Sequence, residues 1–149
     1  MKLPDALRGI RLLAIDSAPL IYLVEKHPSY IDLMVFILRY VSNGPISAIG
    51  STLILTEVLS QPLRMGKMDL VNDYENIIGN SVGFTLIPVN EQIARHAAEL
   101  RAKYGLKTPD ALHVATALEN YCQAILTNDL GLKRVTELQV LVLDELEVN

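Results

Sequence analysis

The chain has 149 residues and a mass of 16.5 kDa, half of them hydrophobic and a fifth charged, with a net charge of −4. That length predicts one domain over residues 1–149, its core running from about residue 12 to 143. The apolar fraction excludes disordered and collagen-like chains, and a pI near 5.3 excludes a module that holds nucleic acid chiefly through a basic face.

Taken in chain order, Leu12-Leu13-Ala14-Ile15 is a short continuous apolar run, the pattern of a strand buried on both faces, and Asp16 ends it. Ser17 as cap and Pro19 in the first turn then predict a helix reaching His27-Pro28. Ser29 begins a second helix, to Val41, in which Leu33, Phe36, Ile37 and Tyr40 follow the 3, 4, 7 spacing before Asn43-Gly44-Pro45 stops it. A strand is expected over Ile46–Ile49, then a helix capped by Ser51 and ending near Ser60, ahead of Pro62. A helix over Met68–Ile78, closed by Gly79, precedes a strand from Phe84 to Val89 whose Pro88 marks an end or an edge. Asn90 caps a long helix through Tyr104 with Gly105 as its terminator, and Thr108-Pro109 opens another that ends near Tyr121. Ala124–Thr127 and Val140–Leu143 are the last strands, separated by Asn128-Asp129 and a short helical turn. Strands alternating with helices predict a three-layer α/β/α sandwich with a central, mainly parallel sheet.

The longest charge-free stretch, between Arg39 and Glu57, contains Asn43, Gly44, Pro45 and Gly50 and does not suit a membrane span. Charges at Lys2, Asp5, Arg8 and Arg11 interrupt any secretory leader, so a cytoplasmic protein is expected. The one cysteine, Cys122, excludes an internal disulfide, and the scattered histidines His27, His96 and His113 make no zinc motif.

In open α/β sheets ligands bind beyond the carboxyl ends of the strands. Asp16 and Asp129 follow such ends, and Asp110 falls in a first helical turn facing the same rim. Each has a plainer reading as a turn former or as a complement to the helix dipole. Glu57 lies in the apolar segment Leu53-Ile54-Leu55-Thr56-Glu57-Val58-Leu59 and shares a face with Leu53 and Ile54. A carboxylate buried there requires a cation, either an Arg or Lys partner or a metal.

Two carboxylates about 5 Å apart repel by about 3 kcal/mol at an effective dielectric of about 20, so a converged cluster is unfavourable when empty. Neutralising any one member is therefore expected to raise the melting temperature of metal-free protein. Oxygen donors without Cys or His suit Mg²⁺ or Mn²⁺, ions that serve phosphodiester hydrolysis. Ser17, Thr127 and Asn128 stand beside the acids as groups that orient water or phosphate, and Lys133 and Arg134 follow Asp129 as phosphate contacts or as a solvated pair. His113, three residues after Asp110, reads as a packing histidine before it reads as part of the site. Met65 and Met68 read as core filler or as the border of a partner groove.

The segments Leu13-Ala14-Ile15-Asp16-Ser17, Thr56-Glu57-Val58, Leu106 to Ala117 around Thr108-Pro109-Asp110, and Leu126-Thr127-Asn128-Asp129 resemble, in order and spacing, the four acidic motifs of PIN-domain ribonucleases, most closely the VapC-type toxins. The resemblance spans about Leu12 to Leu143, and its third motif is the most specific. It implies an Mg²⁺- or Mn²⁺-dependent endoribonuclease with Asp16, Glu57, Asp110 and Asp129 as catalytic, metal-binding acids, acting as a homodimer restrained by a small antitoxin. Two positions depart from the pattern: Ala18 replaces a polar residue, and Leu132 stands where an aromatic is common. The competing reading is a non-catalytic PIN-like module that binds RNA or protein. A phosphoryl-transfer domain of the haloacid-dehalogenase kind needs a second Asp two residues after the first, where Ala18 stands.

Overall fold

A computed structural model describes residues 1–148. The strands are β1 (Leu12–Ile15), β2 (Ser47–Ser51), β3 (Phe84–Ile87), β4 (Ala124–Thr127) and β5 (Gln139–Val142). The helices are α1 (Leu3–Ala6), α2 (Ser17–Val24), α3 (Ile31–Ser42), α4 (Leu53–Arg64), α5 (Met68–Asn80), α6 (Glu91–Tyr104) and α7 (Thr108–Glu119), with 3-10 turns at Leu130–Arg134 and Leu143–Glu145. The sheet order is β3-β2-β1-β4-β5, and every pairing is parallel.

Alternation along the strands divides the core in two. Leu13 and Ile15 of β1 and Ala124 and Leu126 of β4 pack with α1 to α5 on one face. Ala14, Ile49 and Ile125 pack with α6, α7 and Leu132 on the other. Period-2 side-chain alternation with apolar groups on both sides is what a doubly covered sheet requires, and it makes the expected three layers.

Several element ends differ from expectation. Asp16, not Ser17, caps α2: its carboxylate accepts from the Ser17 amide at 2.8 Å, and Ser17 is the first helical residue. Ser29 does not cap α3, whose N-cap is Tyr30 with no side-chain bond. β2 extends to Ser51, whose Oγ accepts from the Leu53 amide at 3.1 Å. Helix α4 continues through Pro62 to Arg64. A proline near the last turn removes one backbone donor, and here its ring is buried, which offsets that loss. Helix α5 runs past Gly79 to Asn80. The Asn90 cap, with Oδ1 accepting from the Ile93 amide at 2.9 Å, and the left-handed Gly105 at φ 67° bound α6 as expected.

Candidate active site

The two central strands, β1 and β4, deliver the first acids. Ile15 pairs with Leu126, so the residues that follow, Asp16 and Thr127, emerge side by side. The Thr127 hydroxyl donates to Asp16 Oδ2 at 2.8 Å and accepts from the Asp129 amide at 3.1 Å. Asp129 Oδ1 in turn accepts from Gly131 at 2.8 Å, capping the 3-10 turn that follows β4. Thr127 thus ties Asp16 to the backbone of Asp129, and both oxygens of the buried Asp16 are engaged.

Ser17 continues the chain of bonds. Its hydroxyl donates to Glu57 Oε1 at 2.6 Å, joining α2 to α4. Glu57 is less enclosed than its apolar neighbours imply: Ile54 is fully buried, but the Glu57 side chain keeps 32% of its exposure. Its partner is neither Arg nor Lys. His113 of α7, 3% exposed, places Nε2 at 2.5 Å from Glu57 Oε1 and at 3.5 Å from both Asp16 Oδ1 and Ser17 Oγ. His113 was the group sequence reasoning set aside as packing. The available signal was its position one turn beyond Asp110, on a helix that meets the strand ends.

These contacts shift the acids in opposite directions. Burial raises the Glu57 carboxyl, but the bonds from His113 and Ser17 outweigh it and leave the group below its usual value. Burial pushes Asp110 up, and the fields of Asp16 and Asp129, with a smaller one from Glu57, push the same way against His113. Burial would lower His113, yet its bond to Glu57 and the fields of Asp16, Glu57 and Asp110 leave it raised. Asp110 therefore feels the charge of the other three acids. The oxygen donors of the four suit a hard divalent cation. They do not form a finished cage: among the described residues, no three His, Cys, Asp or Glu side chains are close enough together to ligate one ion.

The remaining candidates are dispersed. Asn128 donates from Nδ2 to the Tyr30 and Tyr22 hydroxyls at 3.1 and 3.3 Å and accepts from the Asp144 amide at 3.1 Å, clamping α2, α3 and the segment after β5 together. Lys133 is ion-paired with Glu145 at 2.7 Å. Arg134 is exposed, its guanidinium beside the Asp129 turn at 3.8 Å from where a Gly131 Cβ would stand. Met65 and Met68 are about half exposed, at 55% and 52%, and are not core filler. Met65 lines a groove of about 200 Å³ with Glu57, Gln61 and Tyr74.

Residues 13–138 match the family model described as the PIN domain. The chain belongs to the PIN domain family. The PIN fold recurs in a DNA-bound VapBC complex from Salmonella typhimurium, at TM-score 0.70 and 16% identity over 90% of this chain and 99% of that one. A toxin-antitoxin complex from Klebsiella pneumoniae aligns at TM-score 0.68 and 20% identity, covering 88% and 97% of the two chains. VapC20 of Mycobacterium tuberculosis, described as a Sarcin-Ricin loop cleaving toxin, aligns at TM-score 0.61 and 14% identity, covering 76% and 86%. No curated protein matches the chain. No helix among the described residues is long and apolar enough to cross a membrane.

Proposed function

We propose that this PIN-domain chain is a divalent-metal-dependent endoribonuclease and the toxin of a two-protein toxin-antitoxin pair. The observation that carries the reading is geometric: His113 Nε2 lies within 3.5 Å of both Asp16 and Glu57, and Thr127 ties Asp16 to the backbone of Asp129, with Asp110 one turn before His113 on α7. In this reading Asp16, Glu57, Asp110 and Asp129 hold Mg²⁺ or Mn²⁺. Such an ion, when bound, supplies an acidified water and neutralises charge on phosphoryl oxygens.

The protein's own groups prepare that centre. Thr127 and the Ser17 amide fix the two Asp16 oxygens, and the Ser17 hydroxyl with His113 fixes Glu57. In this reading the exposed Arg134, beside the Asp129 turn, meets an RNA phosphate. Lys133 takes that role only by leaving Glu145. The toxin assignment draws on the shared fold with chains solved in toxin-antitoxin complexes. The exposed Met65 groove beside Glu57 offers such a partner a seat of mixed polar and apolar side chains, and a homodimer belongs to the same reading.

A non-catalytic module that binds RNA or protein is the second reading, favoured by Ala18 in place of a polar residue beside Asp16. Incubating the protein with an RNA pool in Mg²⁺, Mn²⁺ or EDTA and sequencing the new ends separates the two. Cleavage is expected with either ion, none in EDTA, and a loss of at least about a hundredfold in Asp16→Asn and Asp110→Asn with the fold kept. Equal cleavage by both variants contradicts the nuclease assignment.

A further inference from the structure

Of the four acids, Glu57 is the one on a long side chain, with three torsions to fix and a third of its surface in solvent. Asp16 is held on both oxygens, and Asp129 is held by its own turn. Some rigid group has to hold Glu57 if it is to contribute to a common centre, because a loosely held ligand loses much of its affinity in the ordering cost.

The His113 ring is that group. It is buried on α7, which packs against β1, β2, β4 and α4, and reaches Glu57 Oε1 with Nε2. Its other nitrogen, Nδ1, is buried and has no hydrogen-bond partner among the described residues. In the neutral ring a buried orphan donor costs more than an orphan lone pair, which favours the tautomer with hydrogen on Nε2 and a bare Nδ1. Glu57 Oε1 then accepts two bonds, from Nε2–H and from the Ser17 hydroxyl, while Oε2 lies outside both.

Resting on the nuclease reading, we propose that His113 is a positioning residue: it donates from Nε2 to one Glu57 oxygen and presents the other to the divalent ion. Hydrogen-bonding partners of metal ligands orient them in this way, and losing one weakens metal affinity by about 10- to 100-fold.

Calorimetric titration of Mn²⁺ into the parent protein, His113→Leu and His113→Gln tests it, with thermal melts as a check of folding. His113→Leu removes the donor and is expected to weaken Mn²⁺ binding about tenfold or more, whereas His113→Gln, with an amide N–H near the Nε2 position, keeps it within about threefold of the parent. Two-bond ¹H–¹⁵N spectra of the metal-free parent, recorded at a pH high enough for the ring to be neutral, are expected to place its single hydrogen on Nε2. Equal affinity in parent and a folded His113→Leu, or a neutral ring whose single hydrogen sits on Nδ1, overturns the role of His113 and leaves the nuclease reading standing. A parent that takes up no Mn²⁺, while its ring hydrogen is on Nε2, overturns the metal reading and this role with it.

Discussion

The Asp16 carboxylate is bound by the Ser17 amide and the Thr127 hydroxyl, whereas the Asp110 acid is pushed up first by burial and then by the negative charge of Asp16 and Asp129. Equal formal charges thus have unequal effects on folding. Without metal, Asp110→Asn relieves repulsion and is expected to raise the thermal midpoint. Asp16→Ala removes a helix cap and is expected to cost about 1 kcal/mol, or about 3 °C for a chain of this size. Scanning calorimetry in EDTA checks both, and an equal drop in the two variants contradicts the electrostatic account. The sequence alone led to one expectation for all four acids, a uniform rise, since only a structure shows which acids already have donors. Asp16, Asp110 and Asp129 were legible as candidates because strand ends and helix starts fix their places, and Glu57 because a carboxylate interrupts an apolar helix segment. His113 was not, because one histidine on an apolar helix gives no sign of which neighbour its ring will meet.

Elements were legible wherever local chemistry decides them alone. The runs of β1 and β4 and the Asn90 and Gly105 boundaries of α6 fall where apolar pattern and capping put them. Ends set by tertiary packing did not: Pro62 and Gly79 read as stops, yet α4 and α5 pass through them. Gly79 is a helical position open on its Cβ side, with nothing within 4 Å, so Gly79→Ala is expected to stabilise by about 0.5 to 1 kcal/mol. Gly83 differs because its φ is 84° and a Cβ there would meet the Val41 carbonyl oxygen at 2.5 Å, where the chain enters β3. Gly83→Ala is expected to cost more than the about 1 to 2 kcal/mol of left-handed strain alone. Urea unfolding should show the midpoint rising for Gly79→Ala and falling for Gly83→Ala, with the slope unchanged in both.

At the scale of the whole molecule, a net charge of −4 grows more negative as pH climbs, so self-repulsion opposes the metal-free fold more strongly in alkali. In the site His113 and Asp110 add to this trend, while Glu57 acts at the acid end. His113 is raised from its usual 6.5, so its stabilising contribution is fully present below 6.5 and is lost as pH rises through the higher folded value. Glu57 is lowered from 4.5, so its contribution is present above 4.5 and is lost as pH falls through the folded value. Asp110, raised above 3.8, binds its proton more tightly when folded, and its ionisation adds a further loss of stability as pH rises. The pair of His113 and Glu57 therefore supports the fold best between pH 4.5 and 6.5. Thermal midpoints measured in EDTA are expected to be higher at pH 6 than at pH 8, and the difference should shrink in His113→Gln, which keeps a donor but has no proton to lose. A parent midpoint that rises from pH 6 to pH 8 would mean that His113 is not held in its charged form by the acids around it.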